Sequence, residues 1–433
     1  MKSIINDRMP WLMRQYTCVL HHCPKTKAGS ALAFSALAFI GVLIPALALG
    51  QTIHDYVVDP KPPSFPLEKT IGYYISTALP SVAIGSSSGN GGPGGAYLYI
   101  SSGDLSGPWS QSVIDPSGDF YERMRLFQEP WEPFPGIVAS RSGQLVWYIN
   151  PNNVGGYPTQ LWPMQVIADN WCHDIRVVDL DGDGLPDIVC SASSVLGTQS
   201  LIAYQVFNGN VGWQVINSPF VDPNGAVIGD SVNLISVNGS PRTNVLAATD
   251  NGVYWFQDPG ANRTGRWVPH LINNGGSRND IDETTLGVVP IGGSADAVVI
   301  ASGEGPWPNG LAIVSSADGR HWTPQRLDTT YRNTHEIDGG TELGPFFIVG
   351  EQEQVAPGCN SMNLNEHPPS IPDCRLMLFQ YQGGTFVPTL ELSGLGAHNQ
   401  QYVPYGNGIA VVSANHGVYG ATDPALHIWF VSQ

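Results

Sequence analysis

Residues 179–187 read Asp-Leu-Asp-Gly-Asp-Gly-Leu-Pro-Asp. Four carboxylates, Asp179, Asp181, Asp183 and Asp187, fall on alternate or near-alternate positions of a turn. Gly182 and Gly184 carry no Cβ, so the backbone can curl tightly enough for all four to face one point. Like charges this close repel unless a cation neutralises them. Hard carboxylate oxygens, joined by the backbone carbonyl of Leu185, suit Ca²⁺. An EF-hand needs a Glu at the twelfth position and flanking helices, and neither is present. The alternative is an acidic turn that holds no ion.

Other reaction classes lack their residues. There is no G-x-S-x-G elbow, no phosphate-binding P-loop and no H-E-x-x-H zinc motif in the sequence. Lys and Arg total 19 against 36 Asp and Glu, a net charge of −17. Nucleic acid is excluded as a partner, because phosphate binding needs a basic surface. Hydrophobic residues make up 42% and charged residues 13%, enough apolar material for a substantial core.

The elements that must position the acidic loop are repeated. Six segments begin with an aromatic residue and continue with alternating apolar ones, at Trp109, Trp162, Trp213, Trp267, Trp322 and Phe386. Each follows another short apolar strand, such as Leu-Val-Trp-Tyr-Ile-Asn-Pro or Gly-Val-Tyr-Trp-Phe-Gln-Asp-Pro. Further apolar runs lie upstream, punctuated by Gly, Asn and Pro. No helical period stands out beyond the N-terminal leader. Four short strands per roughly fifty residues, repeated, predict an all-β fold, a seven-bladed β-propeller. The C-terminal Leu-His-Ile-Trp-Phe-Val-Ser-Gln is a third strand with no fourth after it. Residues 52–59 read as the missing strand, so the N-terminal strand closes the last blade and removes an open edge. An eight-bladed ring or an open solenoid is the alternative.

The acidic loop, with His-Asp-Ile-Arg-Val-Val before it and Ile-Val-Cys-Ser-Ala after it, resembles the FG-GAP or VCBS repeat family. That resemblance covers nearly all of residues 52–433, strongly in one blade and weakly in the others. It implies a seven-bladed propeller related to those of integrin α-chains, with calcium in the Asp-rich loops. The corresponding loops elsewhere, such as Ser-Val-Asn-Gly-Ser-Pro-Arg-Thr-Asn, lack the carboxylates, and the fifth copy keeps only Asp296. One calcium site is therefore expected.

In a propeller the innermost strands border a central channel. His173, His335 and His398 open such strands and are the candidate catalytic bases. Asp230 and Asp282 are read as their equivalents in intervening blades. Glu304, Glu351 and His416 follow second strands near one rim, and Trp307 and Tyr419 sit in Gly- and Pro-bearing loops where flat rings could stack on sugar faces. Together these form the candidate ligand-binding set, with Arg176 available to steady an anion. The alternative is that the histidines are spacers between blades. His54, His270, His321 and His427 fall on outer strands, packed or solvated.

Residues 1–50 read as a leader. Lys25 and Lys27 precede an apolar run from Ala28 to Gly50 that ends in small residues. This is the order of a signal peptide, although the run could also remain as a membrane anchor. Residues 51–433 then form one domain, with a net charge of −21 once the +4 leader is gone. A secreted or periplasmic, extracellular location is expected. Four cysteines lie in that domain, and disulfides Cys172–Cys190 and Cys359–Cys374 are expected.

Fold alone does not fix function. The first reading is an exported calcium-binding module, monomeric, that takes a glycan or small molecule in its central funnel. It meets a membrane only if the anchor persists. The second is a carbohydrate-active enzyme of lyase or dehydratase type, a carbon–oxygen lyase acting on a sugar through an axial histidine. The third is a protein-adhesion scaffold.

Overall fold

The protein is described by a computed structural model covering residues 52–432, except 64–65, 87–93, 119–120, 170, 181, 193–199, 207–212, 221–227, 240–243, 250–251, 261–266, 274–284, 294, 302–310, 329–333, 352–374, 394–398 and 415–424. The leader, Cys359 and Cys374 lie outside the described residues. Among those described, no helix is long and apolar enough to cross a membrane.

Among the described residues, twenty-eight strands form seven four-stranded antiparallel sheets. Strand β1 (Thr52–Asp59) is set aside for the last sheet. Blade one comprises β2 (Pro66–Gly72), β3 (Ser81–Ser86), β4 (Gly95–Asp104) and β5 (Gly107–Asp115). Blade two comprises β6 (Tyr121–Phe127), β7 (Gly136–Arg141), β8 (Gln144–Tyr148) and β9 (Met164–Ala168). Blade three comprises β10 (Cys172–Val178), β11 (Asp187–Ala192), β12 (Ser200–Val206) and β13 (Trp213–Phe220). Blade four comprises β14 (Ile228–Ile235), β15 (Asn244–Thr249), β16 (Gly252–Gln257) and β17 (Val268–Asn273). Blade five comprises β18 (Thr285–Val289), β19 (Ala297–Ala301), β20 (Leu311–Ser315) and β21 (Thr323–Asp328). Blade six comprises β22 (Thr334–Gly340), β23 (Phe346–Glu351), β24 (Arg375–Gln382) and β25 (Thr385–Ser393). Blade seven is β26 (Gln401–Tyr405), β27 (Gly408–Ala414), β28 (Leu426–Ser432) and, paired on the outer side of β28, β1.

The expected closure is therefore present: Tyr56 pairs with Ile428 and Asp55 with Trp429 in one ladder. First strands of neighbouring blades face each other from β26 through β2, β6, β10, β14 and β18 to β22, and the Tyr402 amide of β26 reaches Asp338 of β22, so these seven strands ring the axis. The core is not one mass but seven, one between each pair of neighbouring blades. Ile71, Val82 and Tyr97 of blade one pack on Val403, Val412 and Ile428 of blade seven. Ile337, Phe347 and Phe379 of blade six pack on Val299 and Ile313 of blade five. A sheet apolar on both faces can be buried only between two others, which is why the strands read as continuous apolar runs. Repeat-position aromatics Trp162, Trp267 and Phe386 are buried in these seams. The disulfide Cys172–Cys190 joins β10 to β11 in blade three.

Candidate functional site

The inner strands carry charges inside the ring. On β2, Glu68 and Lys69 are fully buried. On β6 lie Glu122, Arg123 and Arg125; on β10, Asp174 and Arg176; on β22, Glu336 and Asp338. Arg123 Nη1 is 3.0 Å from Glu68 Oε1, and Arg125 Nη2 is 3.2 Å from Asp174 Oδ1. Arg125 also reaches Glu336 Oε1 at 2.5 Å, from blade two to blade six. Arg176 Nη1 lies 3.3 Å from Asp174 Oδ1. Asn399 donates its amide to Glu68, and Gln400 donates to the Glu336 carbonyl. Gln401 Nε2 donates to the Met124 carbonyl at 2.8 Å.

Buried charges cost several kcal/mol each unless paired, so this plug must come close to balance. Burial pushes the Glu68 carboxyl up to about 8 despite Arg123 beside it. With a proton on Glu68, four carboxylates (Glu122, Asp174, Glu336, Asp338) meet four basic groups (Lys69, Arg123, Arg125, Arg176). Burial alone would raise Asp174, but Arg176, Arg125 and Arg123 hold it below the usual carboxylate range. The same carboxylate accepts the Val232 amide at 3.0 Å, and Ser231 Oγ accepts the Leu286 amide at 3.1 Å. Side chains thus lash blade three to four and four to five, the latter joined also by one backbone bridge between Val237 and Ala295.

Below the plug the channel widens into a cavity of about 310 Å³. Every blade contributes to it: Ile71, Arg125, Arg176, Asn233, Val288, Asp338 and Gln401, one from each inner strand, with Tyr402 at the side. Burial and then the nearby Glu336 push Asp338 up to about 6, against Arg176 and Arg125. Tyr402 Oη donates toward the Gly339 carbonyl at 3.2 Å, while its backbone amide donates to Asp338 Oδ2 at 3.3 Å. Gly340 makes room for that hydroxyl, since a Cβ there would collide with it. The cavity presents guanidinium and amide donors, carboxylate acceptors and a phenol within one concave surface.

The histidine set lies at the other end of the inner strands. His173, second residue of β10, places Nε2 3.1 Å from Glu122 Oε1. His335 is second in β22; its side chain, like that of Asp230 on β14, lies outside the described residues. His398, Asp282, Glu304, Trp307, His416 and Tyr419 also lie outside them. Glu351 ends β23 near the same rim, buried, with Oε1 2.7 Å from Arg375 Nη2 and Oε2 2.8 Å from Nε. This bidentate pair occupies both oxygens within blade six.

The register clarifies which residues share a level. Val178 pairs with Asp187, Phe127 with Gly136, Gly340 with Phe346 and Tyr405 with Gly408 at the ends of the inner strands. Counting back equally from each makes Glu122, His173, His335 and Gln400 equivalent. In blade seven the level of His173 is thus held by Gln400, two residues after His398.

The acidic loop joins β10 to β11 at the end of the inner strands where the cavity lies. Gly182 and Gly184 take φ values of +78° and +85°, the left-handed conformations expected of them. Asp179 accepts the amides of Gly182 at 2.7 Å and Gly184 at 2.9 Å. Asp183 Oδ1 accepts the Leu185 amide at 2.8 Å, and Asp187 Oδ2 accepts Leu180. Asp181 lies outside the described residues, and among those described no three acidic, His or Cys side chains converge as a metal cage. Three carboxylates on one tight turn supply hard oxygen donors of the kind Ca²⁺ prefers.

Sequence reading missed most of the axial plug. Asp174 and Glu336 each follow a histidine that drew attention, and Glu122–Arg123–Met–Arg125 carries charges through a strand that should be apolar. Charges at equivalent places in several repeats were the available signal. Arg176 was foreseen as an anion partner and does line the cavity.

A family profile described as an FG-GAP-like repeat matches residues 137–190, from β7 through the acidic loop to β11. No curated protein matches the chain. Among solved structures, a lectin of Agrocybe aegerita that specifically recognises non-reducing terminal N-acetylglucosamine is 12% identical, with a TM-score of 0.50 over 84% of this chain and 85% of the lectin. The polysaccharide lyase Uly1 is 9% identical, with a TM-score of 0.46 over 86% of this chain and 90% of the lyase. The Dos1 propeller is 10% identical, with a TM-score of 0.42 over 87% and 93%. At such identities the likeness is one of fold.

Proposed function

We propose that this FG-GAP-type seven-bladed propeller is an exported binding module whose axial cavity takes a small neutral carbohydrate. The observation that carries the reading is the convergence of all seven inner strands on one polar cavity of about 310 Å³. That volume is at the lower end of small-molecule sites, about 300–1,000 Å³, and suits a single sugar ring. Each sugar hydroxyl both donates and accepts, which matches Arg125, Arg176, Asn233 and Gln401 set beside Asp338 and Tyr402. A net charge of −17 disfavours an anionic polymer at long range. A lectin among the proteins of similar fold is consistent with this class of ligand.

Calorimetry with a panel of neutral monosaccharides tests it. Binding is expected in the wild type and lost in Gln401→Leu and Asp338→Asn variants that keep wild-type circular dichroism. No binding by any sugar, or binding untouched by both substitutions, refutes the cavity as the site.

We also propose that the loop 179–187 takes up Ca²⁺ through Asp179, Asp181, Asp183, the Leu185 carbonyl and Asp187. The ion would offset clustered negative charge and stiffen the turn beside the cavity mouth. A second functional reading, the sugar lyase, draws on one contact. Glu122 beside His173 could orient the imidazole as a general base at the opposite rim. Turnover of a sugar substrate that disappears in His173→Ala while binding persists would favour it.

A further inference from the structure

A second cavity, of about 1040 Å³, opens between blades four and five. Its walls come from the turn after β14 (Val237, Asn238), the end of β16 and start of β17 (Trp255, Gln257, His270) and the turn before β21 (Arg320, Trp322). These strand ends and turns lie on the face where the axial cavity opens, but no residue is shared between the two cavities.

Two features set this seam apart. The repeat-position aromatics Trp162, Trp267 and Phe386 are buried in their seams; Trp322, like Trp109, is only half-buried, and Trp322 lines open space. The second is a built aromatic wall. The rings of Trp255 and His270 stack with centroids 4.2 Å apart and planes 14° from parallel. His270 Nε2 lies 3.1 Å from Gln257 Oε1, which fixes the imidazole in its plane. Burial lowers the His270 proton affinity. Gly319 packs closely on the side chains of the turn after β14. Gly319, at φ +69°, lies against Asn238, and a Cβ there would come within 2.7 Å of Asn238 Oδ1. Asn238 itself takes φ +57°, rare outside glycine.

The polar groups left over point to the ligand. The Arg320 side chain is exposed and no ion pair engages it among the described residues. Asn238 and Gln257 add amides that both donate and accept. Flat apolar faces ringed by mixed donors and acceptors suit a pyranose, whose C–H face stacks on an aromatic ring while its hydroxyls exchange hydrogen bonds. The cavity is more than three times the volume of the axial one.

We propose that the cleft between blades four and five is a separate binding site for a neutral saccharide, with a sugar ring stacked on Trp322 and its hydroxyls met by Gln257, Asn238 and Arg320. The site does not depend on the axial cavity being occupied.

The test is 19F NMR of protein labelled with 5-fluorotryptophan, the Trp322 resonance assigned by its disappearance in Trp322→Phe. Cellobiose, maltose, lactose and N,N′-diacetylchitobiose are the probes. At least one should shift the Trp322 resonance, in the wild type and equally in the axial variant Gln401→Leu. Gln257→Ala and Arg320→Ala, both at exposed positions, should each weaken that titration several-fold without altering the unliganded spectrum. A Trp322 resonance unmoved by every probe, even in the tens of millimolar, overturns the site. So does a shift that vanishes in Gln401→Leu, which would return binding to the axial cavity. Tighter binding of glucuronate than of all four neutral sugars overturns the ligand class. Failure of the axial reading alone would leave the Trp322 titration intact.

Discussion

Arg125 on the second blade and Glu336 on the sixth meet across the propeller axis, Nη2 to Oε1 at 2.5 Å. No ladder connects those blades, so the pair braces the ring across its diameter. Both residues are buried, and Asp174 shares the same guanidinium. Removing one partner leaves the other charged and desolvated. Arg125→Met is expected to cost about 3–5 kcal/mol in urea unfolding, and Glu336→Leu a comparable amount. The double variant should recover part of the loss, because it removes both charges together. Additive losses in the cycle would show that the two residues do not act on each other.

The plug also sets how stability follows pH. Burial raises Glu68 to about 8 and Asp338 to about 6, and lowers Lys69 to about 8. An acid whose folded value exceeds its unfolded one binds more protons when folded. Its contribution is complete below about 4 and is lost as pH rises, for Asp338 toward 6 and for Glu68 toward 8. A lysine lowered on folding acts the other way, so stability recovers between about 8 and 10.5. Asp174, held low, matters only in stronger acid. The melting temperature should therefore fall from pH 5 to a minimum near 8, and Glu68→Gln should flatten the descent between 6 and 8. A wild-type curve that climbs across that interval would contradict the assignment.

How far these features were legible in the sequence depends on what repeats. Seven copies of a four-strand pattern disclosed the blades, and the orphan third strand at Trp429 called for a partner near Tyr56. Tyr56 pairs with Ile428, next to Trp429 in that strand. Periodicity reveals elements because every copy must solve the same burial problem. The axial charges escaped because they pair across blades: Glu68 and Asp174 are acidic at the level where Arg123 is basic, and Glu336 meets Arg125 from the far side of the ring. A residue whose partner lies on another blade leaves no local trace. Trp322 carried the repeat signal, yet nothing in its own segment told that its neighbours left a cleft.

The disulfide between Cys172 and Cys190 closes a short loop, with a sequence separation of 18, around the turn that carries Asp179 to Asp187. A cross-link over a loop of this length stabilises by about 3 kcal/mol through the unfolded chain. Cys172→Ala with Cys190→Ala should lower unfolding stability by about that amount. If the acidic turn takes calcium, 1:1 binding raises the melting point of the oxidised wild type, and Asp183→Asn removes the rise. An unchanged melting curve with and without calcium, in protein stripped by chelation, would refute the calcium proposal while leaving the disulfide prediction standing.

The last prediction concerns the strand that closes the ring. Strand β1 pairs with β28 from Thr52↔Ser432 to Asp59↔Leu426, with an irregularity between Val57 and Asp59. It is tied further by His427 Nδ1 at 2.9 Å from Asp55 Oδ1 and by Tyr99 donating to Asp59 Oδ2 at 2.8 Å, the latter from blade one. Val58 contributes to the seam between blades seven and one. Deleting residues 52–59 uncovers the hydrogen-bonding edge of β28, and an exposed edge recruits other strands. The truncated protein should melt earlier and form oligomers by light scattering, and a synthetic peptide of residues 52–59 added in trans should reverse both effects. Asp55→Ala and Asp59→Ala, which keep the ladder, should lower stability by about 1 kcal/mol or less each and leave the protein monodisperse. A truncation that stays monodisperse with an unchanged melting point would mean that the ring does not need this strand to close.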